Sequence, residues 1–413
     1  MLLLKIYKNS NDATMKKLAS RVLCAIGMVL LLAACTKQES DIPYWLSDYK
    51  DLYEEDPIKA SHQWFKDARM GMFVHFTIGS LMEERSDYLL WMNGNADERI
   101  CNYIGISLED YQKAESKDSL LFTKFEIPEF DAEKICQLAV KANMKYITFT
   151  AHHNSCNFDA EHVPFNSVNS SPDGRDLVAE MIAACRKYKL APFFYMSSKY
   201  KMVKTRDKEK NLATLKELLT EYGPIGGLWF DDSVLKYSED NEGADEINYF
   251  IKDLQAHCLV SFKHGLYSCS EDYLSPEYFM LPFEYEMQTE GQKIRFESRK
   301  ERWEEYEKES WERCGKYKLR EISTSMMGSK WRDLDTEHLG WINAVSARRL
   351  TGEEAYYWLT YARYTGSNML MNIGPQADGS VHPDTEKGLI RLGEIIGERG
   401  WPELVHKIPE KPE

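Results

Sequence analysis

Seven short apolar segments, at residues 73–76, 146–150, 192–197, 226–231, 259–263, 321–326 and 368–373, constrain what this chain can fold into. Five of them follow runs with helical spacing, at 131–143, 177–189, 212–222, 246–257 and 352–365. Strands that alternate with helices of about ten to fifteen residues read as a parallel sheet, because a parallel crossover needs a connection of that size. So many units in one domain predict an α/β fold of the (β/α)8 TIM-like barrel type rather than an open doubly wound sheet. The eighth strand is not legible. With 413 residues and 43% hydrophobic content, the chain can bury one large core, and such a barrel uses about 250 residues or more.

In a (β/α)8 barrel, chemistry sits at the C-terminal ends of the strands. The run Gly226-Gly227-Leu228-Trp229-Phe230-Asp231-Asp232 delivers two acids to such an end. Side chains alternate along a strand, so Trp229 and Asp231 share one face and only one acid aims easily into the barrel mouth. The competing reading is that these acids cap the next helix or face solvent. His75 interrupts an otherwise apolar strand, where burial is costly unless the ring is hydrogen-bonded. A satisfied core histidine and a ligand contact both fit. His152 and His153 are sequential and point apart in extended backbone, so they would chelate one metal poorly. No His-Glu-x-x-His or paired Cys-x-x-Cys motif occurs, so neither a metal nor another cofactor is expected.

The net charge of −14 and the absence of a basic patch argue against nucleic acid as a partner. The basic run 199–210 lacks a glycine-rich cradle and reads as a solvated face. Residues 295–312 alternate acids and bases with Phe296, Trp303 and Tyr306 along one side, as in a charged amphipathic helix that packs on the rim or covers the site.

Five blocks resemble, in order, the alpha-L-fucosidases of glycoside hydrolase family 29: Trp64-Phe65-Lys66-Asp67-Ala68-Arg69-Met70-Gly71-Met72-Phe73-Val74-His75, Tyr146-Ile147-Thr148-Phe149-Thr150-Ala151-His152-His153, Gly174-Arg175-Asp176-Leu177-Val178, Tyr222 through Asp231, and Asn368-Met369-Leu370-Met371-Asn372-Ile373-Gly374-Pro375. The resemblance spans roughly residues 64–402. It implies a retaining exo-glycosidase that removes terminal alpha-L-fucose from a fucosylated oligosaccharide or glycoconjugate. Asp231 falls at the nucleophile, and the acid partner belongs about 5–5.5 Å from it.

That acid comes from a variable loop, matched here by Ser270-Glu271-Asp272-Tyr273-Leu274-Ser275-Pro276-Glu277-Tyr278. Glu277 is the first candidate, Asp272 the second and Glu321 the third. The resemblance also implies substrate contacts from His75, Trp91, His152, His153, Tyr195, Trp229 and Lys263. Two departures stand out: the residues around the His pair, Ala151 before and Asn154-Ser155-Cys156-Asn157 after, and Leu90-Trp91 where the family has Glu-Trp. They leave open a second reading, a catalytically impaired barrel that binds glycans at the cell surface. No β-sandwich is expected after the barrel.

At the N-terminus, Met15-Lys16-Lys17 opens a basic region, residues 22–32 are apolar, and Leu32-Ala33-Ala34-Cys35 has the form of a bacterial lipoprotein cleavage box. Residues 1–35 therefore read as a signal peptide, with a true start possible at Met15, and the apolar stretch is too short for an ordinary membrane span. Residues 36–55 would be a polar tether and 56–413 the barrel. Lipidation at Cys35 would anchor the protein to a membrane of the bacterial cell envelope, on the periplasmic face or at the cell surface. Seven cysteines follow Cys35, and their odd count and scattered spacing fit no disulfide scaffold. Cys136 and Cys185 read as core residues, while Cys156 and Cys269 fall in loops of the catalytic face.

Overall fold

Among the described residues, ten strands follow one another: β1 (Met70–Val74), β2 (Tyr146–His152), β3 (Ala191–Met196), β4 (Gly227–Phe230), β5 (Leu259–Ser261), β6 (Tyr273–Leu274), β7 (Leu319–Ser325), β8 (Met327–Gly328), β9 (Arg348–Arg349) and β10 (Asn368–Ile373). The computed structural model describes residues 42–404 apart from 83, 154, 197–207, 232–241, 264–268, 276–306, 329–340, 344 and 346. All of these except Ile42 and Pro43 belong to one unit, Tyr44–Glu413. Eight strands form a parallel sheet in the order β5-β4-β3-β2-β1-β10-β7-β6. Backbone bonds from Asp272 N to Val260 O (2.9 Å) and from Ser275 N to Lys263 O (2.8 Å) join β6 to β5. The sheet thus closes into the expected (β/α)8-type barrel, and β8 and β9 form a separate antiparallel ribbon.

The expected helices are present at Ala132–Lys141, Leu177–Tyr188, Lys208–Glu221, Glu242–Leu254 and Gly352–Tyr364. Side-chain caps start three of them: Asp131 accepts from Lys134 N, Asp176 from Ala179 N, and Thr351 with Glu354 forms a reciprocal capping box. Short helices between residues 85 and 122 and a long helix Pro383–Arg399 complete the shell; neither was expected. Of the predicted charged helix at 295–312, residues 307–312 are described and are helical.

Alternation along the strands divides the core in two. Met70, Met72, Val74, Ile147, Phe149, Phe194, Leu228, Phe230, Val260 and Met371 face outward into one apolar cluster with the helices. Their neighbours face the interior, which must be filled with side chains for the barrel to be solid. The helix Pro57–Ala68, capped by Asp56, lays Trp64 and Phe65 across the N-terminal end of the barrel. There Phe65 meets Tyr273 at 4.7 Å and Tyr146 at 5.7 Å, and Trp64 stacks on Phe193 at 6.0 Å. Two glycines make this layer possible. A Cβ at Gly71 would lie 2.2 Å from the Tyr146 ring, and one at Gly227 would lie 2.3 Å from the Phe193 ring. The glycines before Trp229 therefore give room to an interior ring.

Three expectations need correction. Residues 44–55 do not form a tether: they make two helical segments, Tyr44–Tyr49 and Lys50–Glu55, with Trp45 and Leu46 buried and Tyr53 beside His257. The segment read as a loop around residues 270–278 contains the eighth strand, β6. The cysteines are also not all unpaired, since Cys269 and Cys314 form a disulfide with Cα atoms 5.3 Å apart. Cys136 and Cys185 are buried as expected, with sulfurs 3.9 Å apart, and Cys156 is buried too.

Asp272 lies at the start of β6, toward the N-terminal end of the barrel. Its Oδ2 accepts from Lys252 Nζ and Val260 N, both at 2.8 Å, and its Oδ1 meets His62 Nε2 at 2.7 Å. Burial alone would raise its pKa, but Lys252 and His62 outweigh that and hold the carboxyl well below the usual range. Glu321, facing the interior from β7, accepts from Ser275 Oγ (2.6 Å) and from the Tyr146 hydroxyl. Here burial outweighs the two hydrogen bonds and pushes the pKa up to about 7.

Two measurements follow from these carboxyls. Removing one partner of a buried ion pair leaves the other uncompensated, so Asp272→Ala should lower stability by about 3–5 kcal/mol; a variant of unchanged thermal stability but lost turnover would return Asp272 to the catalytic candidates. Between about pH 4.5 and 7 the native protein retains a proton on Glu321 that the unfolded chain has released, so its contribution to stability declines as pH rises through this window. Urea denaturation at pH 5 and pH 8 should show Glu321→Gln gaining up to about 3 kcal/mol on the wild type across the interval. A pH-independent difference would refute the buried-acid assignment.

Candidate active site

At the C-terminal end of β4, Asp231 continues the inward line of Gly227 and Trp229. Its backbone N–H reaches Met196 O at 3.2 Å, which ties the residue to β3. One carboxylate oxygen accepts from the Tyr195 hydroxyl at 2.8 Å and the other from Lys263 Nζ at 3.0 Å. These donors, from the ends of β3 and β5, fix both oxygens while leaving the side chain 24% exposed. Lys263 leaves β5 with φ 55°, a left-handed conformation that costs a non-glycine residue roughly 1–3 kcal/mol. Its ammonium also lies 5.8 Å from the centre of the Trp229 ring.

Aromatic rings surround this carboxylate. Tyr195 stacks on Trp229 (5.3 Å, 24°) and on His153 (5.3 Å, 26°). His75 lies 5.3 Å from Tyr195 and 5.1 Å from Trp341, above Phe73 at 4.0 Å. His75 Nδ1 is 2.7 Å from Asn372 Oδ1. The buried indole N–H of Trp229 has no hydrogen-bond partner among the described residues. The group therefore combines a partly exposed anion, a cation, two imidazoles and flat apolar rings, the set needed to grip a polar ring with one apolar face.

Six residues singled out in the sequence thus come together: His75, His153, Tyr195, Trp229, Asp231 and Lys263. His152 is buried, and desolvation lowers its pKa to about 4, so it is neutral near pH 7. Trp91 is a correction. It is fully buried in the helix Arg85–Met92, packs on Tyr111 at 4.5 Å and donates its indole N–H to Lys117 O at 3.1 Å. Asp272 and Glu321 lie near the opposite end of the barrel, each bound by the partners described above. Glu277 and Cys35 fall outside the described residues.

Sequence reasoning missed Trp341 and Asn372. The indole of Trp341 reaches the group from the segment before β9, which no local pattern marks. Asn372 could have been found: an amide within Asn368-Met369-Leu370-Met371-Asn372-Ile373 is a polar group in a buried strand and needs partners. Among the described residues, one further cluster of potential ligand atoms, Glu161, His162 and Glu217, is separate from this group.

The family described as Alpha-L-fucosidase matches residues 39–400. An alpha-L-fucosidase of Branchiostoma floridae is 23% identical over 90% of this chain and 77% of its own length. The tissue alpha-L-fucosidase of Rattus norvegicus is 25% identical over 90% and 75%. Among solved structures, the alpha-L-fucosidase AlfC from Lactobacillus casei, in complex with its alpha-L-fucose product, superposes with a TM-score of 0.58 at 20% identity, covering 82% of this chain and 98% of that one. Alpha-L-fucosidase isoenzyme 1 from Paenibacillus thiaminolyticus gives 0.59 at 22% identity over 83% and 77%. The structures share the barrel, and the match over most of the sequence shows that this chain belongs to the alpha-L-fucosidase family.

Proposed function

We propose that this protein is a retaining exo-alpha-L-fucosidase that releases terminal fucose from fucosylated oligosaccharides or glycoconjugates by double displacement. The observation that carries the reading is the Asp231 carboxylate, held at the barrel mouth by Tyr195 and Lys263 and ringed by His75, His153, Trp229 and Trp341. A nucleophile must be ionised and aimed at the anomeric carbon. Two donors that orient both oxygens without covering them meet that need. As the carboxylate attacks the anomeric carbon, the bond to the departing oxygen breaks and the carboxylate's charge passes into a new ester bond, which weakens its tie to Lys263. The imidazoles of His75 and His153 offer hydrogen bonds to hydroxyls, the indole N–H of Trp229 gains an acceptor, and the aromatic faces receive the C–H surface and the 6-methyl group.

Glu277 is assigned the general acid and base. In sequence it follows β6, whereas Asp272 precedes β6 and is engaged with Lys252. The acid protonates the departing oxygen in the first step and activates water in the second.

For localisation we infer export and lipid anchoring at Cys35, on the cleavage-box sequence. The Cys269–Cys314 disulfide supports an oxidising compartment. No helix among the described residues is long and apolar enough to cross a membrane.

Asp231→Ala should fold normally yet lose several orders of magnitude in turnover of an aryl fucoside, with partial recovery in azide. Glu277→Ala should cut hydrolysis of a fucosylated oligosaccharide severely and spare the first turnover of a dinitrophenyl fucoside, whose leaving group needs no proton. Equal loss on both substrates would remove Glu277 from the acid role. A wild type that binds fucose but hydrolyses neither substrate, with Asp231→Ala binding unchanged, would establish the glycan-binding alternative. Cys35→Ser should move the protein out of the membrane fraction, and retention there would overturn the anchor.

A further inference from the structure

The amide of Asn372 is fully buried on β10, and its described partners fix its orientation. Its Nδ2 lies 2.9 Å from the backbone carbonyl of Trp341, which can only accept, and this fixes which end of the amide is nitrogen. The same nitrogen donates to Ser325 Oγ at 3.0 Å, and that oxygen also accepts from Met327 N at 3.2 Å. The amide nitrogen is thereby directed at β7 and the Trp341 segment. The remaining atom, Oδ1, faces His75 Nδ1 at 2.7 Å and can only accept. His75 must therefore carry a hydrogen on Nδ1. Its backbone is held as well, by a bond from His75 N to Ile373 O at 3.1 Å.

We infer that Asn372 is a positioning residue that locks His75 in the Nδ1–H tautomer, so that in its neutral form the ring presents Nε2 to the sugar as a hydrogen-bond acceptor. A neutral imidazole with one nitrogen committed as donor has only the other nitrogen's lone pair to offer. The sugar group that meets His75 must then donate. This makes the contact selective: a hydroxyl satisfies it, whereas a fluorine or a methyl ether at the same ring position presents one acceptor to another. Ser325 and the Trp341 carbonyl act through Asn372, so three separate stretches of chain, β7, β10 and the segment before β9, agree on one tautomer. The inference rests on His75 contacting the sugar, as proposed above; the tautomer itself does not depend on activity.

The test is long-range proton–nitrogen NMR of the protein labelled with 15N-histidine, at a pH where His75 is neutral, with His75→Ala to assign its signals. The wild type should show His75 protonated on Nδ1. Asn372→Ala should move the ring toward the Nε2–H form and raise KM for an aryl fucoside about tenfold, with a smaller change in kcat. Among monodeoxy and monodeoxyfluoro fucoses, one ring position should show equal losses of affinity for both substitutions. An Nε2–H tautomer in the wild type, or an unchanged tautomer in Asn372→Ala, would overturn the assignment. If Asn372→Ala does not fold, the wild-type tautomer and the fluorosugar series decide the question without it. Failure of the fucosidase reading would appear separately, as a wild type with the Nδ1–H ring and no hydrolysis.

Discussion

A closed parallel barrel leaves an interior that only inward-facing side chains can fill, and everything at the site depends on how that interior is divided. At the N-terminal end, Trp64 and Phe65 plug the opening while Tyr146, Phe193 and Tyr273 pack above them. Gly71 and Gly227 make room for those rings. The next positions along the same strands are Phe73 and Trp229, then His75 and Asp231. The strand that gives up a side chain at Gly227 to fit the lower layer thus delivers Trp229 and Asp231 in the upper ones. Packing and chemistry are set by one alternation.

Two aspartate–lysine pairs show how position decides the role of similar chemistry. Asp272 is nearly inaccessible, with Lys252 12% exposed, and its two oxygens are bound by Lys252, Val260 N and His62. A carboxylate so enclosed stabilises the link between β5, β6 and the outer helices and has no path to a substrate. Among the described residues, Asp231 takes Tyr195 on one oxygen and Lys263 on the other, and it remains partly exposed. It is oriented and still reached by solvent, as the proposed nucleophile must be. Glu321 is a third case: its described partners are hydroxyls, and burial pushes its pKa up to about 7.

The polar groups at the mouth are held at their backs as well as displayed at their fronts. His75 is fastened by Asn372, Asn372 by Ser325 and the Trp341 carbonyl, and Asp231 by Tyr195 and Lys263. Rigid strands carry most of these groups, which limits their movement before a ligand arrives. The strained backbone at Lys263 belongs to the same pattern, since its ammonium is where Asp231 needs it.

The seven longer strands and five of the helices were legible in the amino-acid sequence because apolar periodicity is a local property, and His75 and Asp231 stood out as polar groups in or at the end of such strands, whereas His153, Tyr195, Trp229 and Lys263 were marked only by the resemblance to a known family. β6 was not legible: two residues flanked by Asp272 and Ser275 have no periodicity, and they become a strand only because Val260, Lys263 and β7 supply partners. Asp272 looked like an available acid because its partners, His62 and Lys252, are distant along the chain. Trp91 looked like a sugar platform by its neighbours in sequence, yet Tyr111 and the Lys117 carbonyl enclose it. The pairing of Cys269 with Cys314 and the grip of Asn372 on His75 have the same origin. Sequence determined which residues could serve at a strand end; the closing of the barrel, which brings distant segments within hydrogen-bond reach, decided which of them are held at its mouth and which are locked into its base.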